Sequence, residues 1–529
     1  MRLSPRDLVT LALIGLAPGA VSCKAENNLI QDDDNGGAPM DGDADTDTDT
    51  DTDDAGGEDE TDRLALPPAS TDVYVFVANP DRDTVTRVNV LTLEVRTADV
   101  GAHPTKVLTS ADYRTAVAFN RDDDSVTILD TGSLEGTTVK VRDDLNDMVM
   151  SPDGRWVAVW HNRSAERPDD PAPSGVQSFN EVSFVDLATG EHHPMAVDYN
   201  PRTIQFTPDG TLAVVVTNTS LGVVDLTAED ILPRLVAVTD DLVDPPQAEE
   251  VVLSRDGSWA FVRQFGTSEI VVVDLETEDR EAVPVGENPT DLDLAPDGRH
   301  AVVVSRGSQQ VFELDVDDPF ATPRMLTIPE GAASGAVIFD PTGRKAILYT
   351  TATATDRFVT WDLATNAMTL RSLVKPVASM AITPNGETLL VFHAKTDAVD
   401  ADSSSPFYGK WAITPIALSD FRRNPLALPA EPIGYAHARS GDHGYFVMAG
   451  KSQFVELDYK TLLPDEIALK SVPVYIGVLP DLNPDDSDEP PAWISQQHDL
   501  GRISFWEPDD GTLRTITGFE LNGDIEVER

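Results

Sequence analysis

The chain has 529 residues, of which 91 are Asp or Glu and 39 are Lys or Arg, so its formal net charge at pH 7 is −52. Such a charge opposes contact with nucleic-acid phosphates, and we therefore expect no DNA or RNA partner. A single cysteine excludes a disulfide scaffold. With 40% hydrophobic residues, the chain can bury a large core as two or three domains or as one repeat array.

The first 22 residues have the pattern of an export signal. Arg2 and Arg6 provide a cationic start, and an apolar run follows over residues 8–17. This run has the length of a signal-peptide core, whereas a transmembrane helix needs about 20 apolar residues. The pattern predicts a secretory signal peptide rather than a membrane-spanning helix.

The end of this segment resembles the lipobox of bacterial lipoproteins. Small residues at Ala20, Val21 and Ser22 precede Cys23. The resemblance implies that Cys23 is diacylated and becomes the new N-terminus, which would anchor the protein in a membrane of the bacterial cell envelope. Lys24 stands where an Asp would signal inner-membrane retention, and it favours the outer membrane. The alternative is a plain secretory signal with an incidental cysteine.

An acidic segment follows the cysteine. Residues 24–63 contain 16 Asp or Glu and only two basic residues, and Asp alternates with Thr between positions 45 and 53. Mutual repulsion and the lack of apolar residues predict an extended, disordered linker. We therefore divide the chain into a signal peptide (1–22), a lipidated Cys23 with its linker (23–63) and a folded region (64–529). As an alternative to a passive stalk, spaced carboxylates can collect calcium.

A turn motif recurs along the folded region at intervals of 41 to 56 residues. Its copies are 151–154 (SPDG), 207–210 (TPDG), 254–257 (SRDG), 295–298 (APDG), 340–343 (DPTG) and 383–386 (TPNG). Each copy precedes a β-branched apolar run and, later, a second run that ends in Asp, as at Asp274. Pro, Asp and Gly in this order favour a tight reversal between strands. The pattern predicts an all-β protein built from four-stranded blades, with almost no helix.

Segments 284–315 and 100–130 carry the order VGxxP, short strand, turn, strand, and strand ending in Asp. They resemble the YVTN-type β-propeller repeat, and the resemblance covers most of residues 72–519. It implies a ring of radially packed blades, and its repeated residues build turns and packing rather than chemistry. Propellers that resemble this one include lactonases and oxidoreductases that depend on a quinone or a metal.

The number of blades is open at this stage. About ten second-strand runs can be counted, whereas propellers usually have 4 to 8 blades. We expect 8 to 10 repeats in one large ring, and the alternative is two smaller rings that divide near residues 240–250. The first blade lacks an inner strand in the sequence, and residues 524–528 are a candidate to supply it.

Two long insertions, 162–180 and 394–410, occupy the same place between second and third strands. Loops of that class emerge on one face, and long structureless loops are often functional. Arg and aromatic side chains dominate contact surfaces. The candidate binding residues are Arg163, Arg167, Phe179, Phe407, Tyr408 and Trp411.

His161 and His393 each follow a turn glycine by seven residues, and equivalent positions elsewhere are polar. Two histidines in this register are candidate metal ligands or general bases, and the alternative is a polar strand end. The acidic stretch 481–489 is a candidate calcium loop, and the alternative is a solvated loop.

Two classes of function remain. The preferred hypothesis is a non-enzymatic binding or scaffolding module with a protein or glycan partner, tethered to the membrane by its lipid. The alternative is a propeller enzyme with its site at the central channel. An enzyme should gather at least three titratable groups there, whereas a binding module should show an aromatic and Arg rim.

Overall fold

The computed structural model describes residues 69–163, 179–239, 246–264, 266–398, 401–480, 489–498, 500–518 and the backbone of 526–528. The predicted signal peptide, Cys23 and the acidic linker lie outside these residues. The described residues form ten antiparallel sheets, and their only helical residues belong to short 3-10 turns, one of them at Pro80–Arg82. Each sheet is one blade, and we number the blades in chain order.

Blades 1 to 5 take up the first half of the folded region. Their strands are β1 Tyr74–Asn79, β2 Thr84–Asn89 and β3 Val95–Asp99 in blade 1; β4 Pro104–Thr109, β5 Thr115–Asn120, β6 Ser125–Asp130 and β7 Gly136–Lys140 in blade 2; β8 Asp147–Met150, β9 Trp156–Trp160, β10 Glu181–Asp186 and β11 Glu191–Ala196 in blade 3; β12 Thr203–Phe206, β13 Leu212–Val216, β14 Ser220–Asp225 and β15 Pro233–Ala237 in blade 4; β16 Ala248–Leu253, β17 Trp259–Gln264, β18 Glu269–Asp274 and β19 Arg280–Pro284 in blade 5.

Blades 6 to 10 complete the chain. Their strands are β20 Pro289–Leu294, β21 His300–Ser305, β22 Gln310–Asp315 and β23 Arg324–Thr327 in blade 6; β24 Ala336–Phe339, β25 Lys345–Tyr349, β26 Arg357–Asp362 and β27 Ala367–Ser372 in blade 7; β28 Ser379–Ile382, β29 Thr388–His393, β30 Ala412–Ala417 and β31 Leu426–Ala427 in blade 8; β32 Pro432–His437, β33 His443–Met448, β34 Gln453–Asp458 and β35 Leu463–Ala468 in blade 9; β36 Pro473–Val478, β37 Ala492–Gln496, β38 Arg502–Glu507, β39 Thr512–Thr517 and β40 Glu526–Glu528 in blade 10.

The blades form one closed ring. Ten apolar clusters each join two consecutive blades, and one of them joins blade 10 to blade 1. In that closing cluster, Val75 and Val88 pack with Ile503 and Phe505. Arg514 also donates to the carbonyl oxygen of Val90 at 3.0 Å. The prediction of one large propeller is confirmed, and the alternative of two smaller rings is wrong because no interface between consecutive blades is missing.

The turn motif acts as predicted. In the 151–154 turn, the Ser151 hydroxyl donates to Asp153 at 2.5 Å and accepts the N–H of Trp156 at 2.9 Å. Gly154 has φ of 70°, which a side chain would strain. The Asp that ends the third strand in seven of the ten blades has a related task, since Asp130 accepts the N–H groups of Gly132 and Ser133 in the next turn. The repeated residues therefore build turns.

The two ends of the chain meet differently from the sequence-based expectation. Blade 1 has three strands, and its inner position is held by one bridge between Ser70 and Val75. The C-terminal strand β40 does not fill that position, because it pairs with β39 as a fifth, outermost strand of blade 10. The ring is closed by side-chain packing between blades.

No helix in the described part of the chain has the length and apolar character to cross a membrane.

The closing cluster gives a test of the single ring. Phe505 is fully buried between blades 10 and 1, so Phe505→Ala should lower the free energy of unfolding by about 3–5 kcal/mol. Leu463, 60% exposed on an outer strand, is the control, and Leu463→Ala should change it by no more than about 0.5 kcal/mol. Chemical denaturation followed by tryptophan fluorescence measures both. Equal midpoints for the two variants would contradict the closure.

Candidate functional site: the insertion face and the central channel

The two ends of the strands form two faces of the ring. Loops between second and third strands, and the connections from one blade to the next, lie at one end, which we call the insertion face. Turns between first and second strands and between third and fourth strands lie at the other end, the turn face. Both predicted insertions lie on the insertion face, between β9 and β10 and between β29 and β30.

A buried lysine fastens the second insertion to blade 8. Lys375, 2% exposed, lies in the connection that precedes β28, and its ammonium forms an ion pair with Asp397 at 2.6 Å. The same ammonium donates to the carbonyl oxygens of Lys410 at 2.8 Å and Phe407 at 3.1 Å. One cation therefore holds both arms of the loop.

Asp397 completes this attachment. Its second carboxylate oxygen accepts the N–H of Gly409 at 2.5 Å. Burial raises the pKa of Asp397, but the hydrogen bonds from Lys375 and Gly409 outweigh that effect and hold the pKa below its ordinary value. The carboxylate is thus the stable form, and the described part of the loop has a fixed shape.

The fixed loop presents aromatic side chains. Tyr408 is 46% exposed, whereas Phe407 and Trp411 are half-buried. Backbone hydrogen bonds hold this stretch in consecutive turns, with Tyr408 donating to Ser405 at 3.1 Å and Lys410 to Phe407 at 3.2 Å. The three aromatic residues predicted on this insertion therefore belong to one ordered loop.

The first insertion carries a second aromatic group, in blade 3. The ring of Phe179 lies 5.0 Å from that of His161 and 6.1 Å from that of Tyr199, and the Arg163 guanidinium lies 5.8 Å from its centre. Tyr199 is 53% exposed and was missed by the sequence analysis, because a lone tyrosine in a connection between blades carries no pattern.

The structure does not bring the two aromatic groups together. Blades 3 and 8 are five positions apart in a ring of ten, so the described ends of the two insertions lie on opposite sides of the ring. Arg167 lies outside the described residues, as does most of the 481–489 stretch. In that stretch, the described Glu489 accepts the N–H of Ser440 at 3.2 Å, in a turn of blade 9.

The two histidines belong to a repeated polar position at the end of the second strand. In nine of the ten blades this position is polar and at most 4% exposed. Its members are Asn79, Asn120, His161, Thr217, Gln264, Ser305, Thr350, His393 and Gln496. Several bond a hydroxyl on the third strand, as Asn120 does with Thr127 at 2.9 Å. The position is buried between strands and does not line an open tunnel.

This placement gives each histidine a structural contact. Nδ1 of His161 lies 2.8 Å from the carbonyl oxygen of Asp144. In His393, Nδ1 lies 2.8 Å from the Pro376 carbonyl oxygen and Nε2 lies 2.8 Å from the Thr414 hydroxyl. Burial lowers the pKa of His393 to about 4, so the ring is neutral. Among the described residues, no three His, Cys, Asp or Glu side chains gather as metal ligands.

The two innermost strands of blade 5 and the inner strand of blade 6 carry a charged cluster that no motif marks. The Arg263 guanidinium donates to Glu250 at 3.0 Å, and both side chains are nearly buried. Asp293 lies on the next inner strand, where burial and the negative charge of Glu250 raise its pKa to about 7. Acidic residues alternating with apolar ones in the first strand of blade 6, at Asp291 and Asp293, are the signal that could have identified this cluster.

No family model matches the sequence, and no curated protein is significantly similar to it. Similar solved structures include a dihydro-heme d1 dehydrogenase, NirN, in complex with DHE, at 15% identity and TM-score 0.44 over 68% of this chain and 74% of that one. A eukaryotic initiation factor is 11% identical, with TM-score 0.49 over 75% and 96% of the two chains. The β-propeller domain of Myceliophteria thermophila Cps50 (Swd1) is 12% identical, with TM-score 0.33 over 63% and 99%. None of these likenesses bears on what this protein binds.

Lys375 provides a test of the fixed loop. Lys375→Met should cost about 3–5 kcal/mol of stability, because it leaves the buried Asp397 carboxylate without its partner. The loop should also become a site of proteolytic cleavage. Lys395→Met is the control, since that side chain is exposed and only its backbone oxygen faces Lys375. Limited proteolysis and thermal denaturation measure both effects, and equal cleavage of the two variants would show that Lys375 does not hold the loop.

Asp293 predicts a dependence of stability on pH. Its pKa rises from 3.8 to about 7 on folding, so the folded protein binds the extra proton between these values. The free energy of unfolding should then fall as pH rises through that window. Asp293→Asn removes the free-energy cost of burying an ionised carboxylate beside Glu250. It should therefore raise the thermal midpoint at about pH 8 more than at about pH 5. The exposed Asp279→Asn variant is the control, and a gain independent of pH would contradict the assignment.

Proposed function

We propose that the protein is a lipid-anchored component of a bacterial cell envelope and that its propeller, built from YVTN-type repeats, is a non-enzymatic binding or scaffolding module. In this proposal, diacylated Cys23 holds the chain on the membrane, with the outer membrane favoured by Lys24. The acidic linker keeps the ring at a distance from the lipid surface, and the insertion face meets a protein or glycan partner.

The observation that carries this proposal is the attachment of the 394–410 insertion by Lys375. Burying a lysine and a carboxylate costs desolvation energy. Apolar side chains of similar size at the same positions often make a protein equally or more stable than a buried ion pair does. A fixed loop, in contrast, loses less conformational entropy when it binds a partner. The arrangement therefore fits a loop whose shape matters for recognition.

The side chains on this face support the same conclusion. Tyr408 on blade 8 and Tyr199 on blade 3 are large, exposed and held by ordered neighbours. Aromatic side chains of this kind contribute much of the free energy in protein interfaces, and their faces also stack on sugars. Because the two groups lie on opposite sides of the ring, a partner that contacts both must span the channel.

A second candidate function is hydrolysis within the channel, and the cluster of Glu250, Arg263 and Asp293 favours it. A carboxyl group with a pKa of about 7 is suited to act as a general acid or base near neutral pH. The two functions use different residues. Asp293→Asn would remove catalysis and leave the insertion face intact. Lys375→Met would disrupt the insertion face and leave catalysis intact.

Photocrosslinking in intact cells tests the preferred function. A photoreactive residue at position 408 should give a discrete crosslinked product in the membrane fraction, and Lys375→Met should reduce its yield by about tenfold, because the loop no longer holds its shape. A photoreactive residue at position 463, which is 60% exposed on an outer strand, is the matched control.

Two results would contradict the proposal. If positions 408 and 463 give the same products, or if position 408 gives none, the insertion face is not the binding surface. If Cys23→Ser leaves the protein in the membrane fraction instead of releasing it, the lipid anchor is wrong, whatever the crosslinks show.

A further inference from the structure

The turn face carries a cleft of about 280 Å³ formed by blades 7, 8 and 9. Its walls are turns between first and second strands of all three blades, together with turns between third and fourth strands of blades 8 and 9. The volume is near the lower end of the range of about 300–1,000 Å³ for small-molecule sites. The cleft thus has room for a ligand the size of one sugar, on the face opposite to the insertions.

The charge of this cleft is opposite to that of the protein. Four cationic side chains line it, Arg344, Lys345, Arg422 and Lys460, against two carboxylates, so the lining has a formal charge of +2. The whole chain has a formal charge of −52. Cationic side chains brought together in a recess raise the local concentration of anions, and here they do so on a surface that otherwise repels them.

The two cations from blade 7 are available to a ligand. In the part of the chain that the structure describes, the Lys345 ammonium forms no hydrogen bond and no ion pair within 4 Å, and the carboxylate that faces it across the strand pair is that of Asp362. The Arg344 side chain is 66% exposed, and its Nε is engaged by the Thr342 hydroxyl at 2.7 Å and by the Asp340 carboxylate at 3.8 Å. Its terminal nitrogens therefore keep donors for a carboxylate or phosphate group.

The opposite wall is already ordered. The Arg422 guanidinium donates to the carbonyl oxygen of Lys460 at 2.9 Å, and the Lys460 ammonium pairs with Asp442 at 2.5 Å. Asn385 ties this wall together, since its amide donates to the Ser440 carbonyl oxygen at 2.9 Å and so joins the turns of blades 8 and 9. A ligand entering the cleft meets donors that are held in place.

The cleft also has acceptors for hydroxyl groups. Glu387 lies in the turn of blade 8 and is exposed, and Asp442 lies in the turn of blade 9. Carboxylates accept hydrogen bonds from hydroxyl groups, whereas they repel a bare anion. A lining of cations and carboxylates together suits a ligand with one anionic group and several hydroxyls better than it suits inorganic phosphate.

We infer that this cleft on the turn face of blades 7 to 9 binds an anionic sugar, with Arg344 and Lys345 on its carboxylate or phosphate group and Glu387 and Asp442 on its hydroxyls. The site is separate from the insertion face and does not depend on the function proposed for that face. It gives the ring a second binding surface, on its other side.

Isothermal titration calorimetry of the full-length protein tests the site. Glucuronate and glucose 6-phosphate are the probes, and comparing them tells whether the anionic group is a carboxylate or a phosphate. Glucose and inorganic phosphate should bind at least about tenfold more weakly than the better anionic sugar, because each lacks half of the contacts. Added salt should weaken binding.

The matched variants separate this site from general surface charge. Arg344→Gln combined with Lys345→Gln should weaken binding by about tenfold or more. Arg299→Gln is the control, since Arg299 follows the corresponding turn of blade 6 and is exposed outside the cleft. The inference is overturned if neither sugar binds, if inorganic phosphate binds as tightly as the sugars, or if the control weakens binding as much as the double variant.

Discussion

The structure depends on apolar packing between consecutive blades. Each blade buries both faces of its sheet, and within the described chain no helix covers a face, so every blade needs a neighbour on each side. For the first and last blades, that neighbour is the other end of the chain. Val88 therefore packs against Phe505, more than 400 residues away in sequence. A closed ring follows from this requirement, and it leaves loops, turns, inner edges and the outer strands free to meet other molecules.

Polar residues within the ring serve mostly to complete hydrogen bonds. The Asp153 and Gly154 turn, the Asp at the end of third strands and the polar position shared by Asn120 and His393 recur from blade to blade with the same task. Side chains that depart from this repetition are informative. Lys375 is buried to hold a loop, and Glu250, Arg263 and Asp293 form a charged cluster between blades 5 and 6.

These departures lie in three separate places. The insertion face has ordered aromatic groups on blades 3 and 8, the inner strand of blade 6 has a carboxyl group, Asp293, whose pKa burial raises to about 7, and the turn face has a cationic cleft on blades 7 to 9. Blade 8 contributes to both the insertion face and the cleft, and the two surfaces are separate because they lie at opposite ends of its strands. One protein can therefore hold a partner on one face and a small ligand on the other.

The repeat by itself determined the fold class. Turns such as 295–298 and strands that end in Asp recur in every region, and local turn chemistry together with apolar runs is enough to predict four-stranded blades and their approximate number. The tertiary structure decided what depends on distance along the ring. It placed the two insertions on opposite sides, buried His161 and His393 within their blades, and brought Glu250 beside Asp293. It also assembled a cleft from Arg344, Lys345 and Lys460, which lie on turns of different blades. Sequence patterns report neighbours along a strand, whereas contacts between blades depend on how the ring closes.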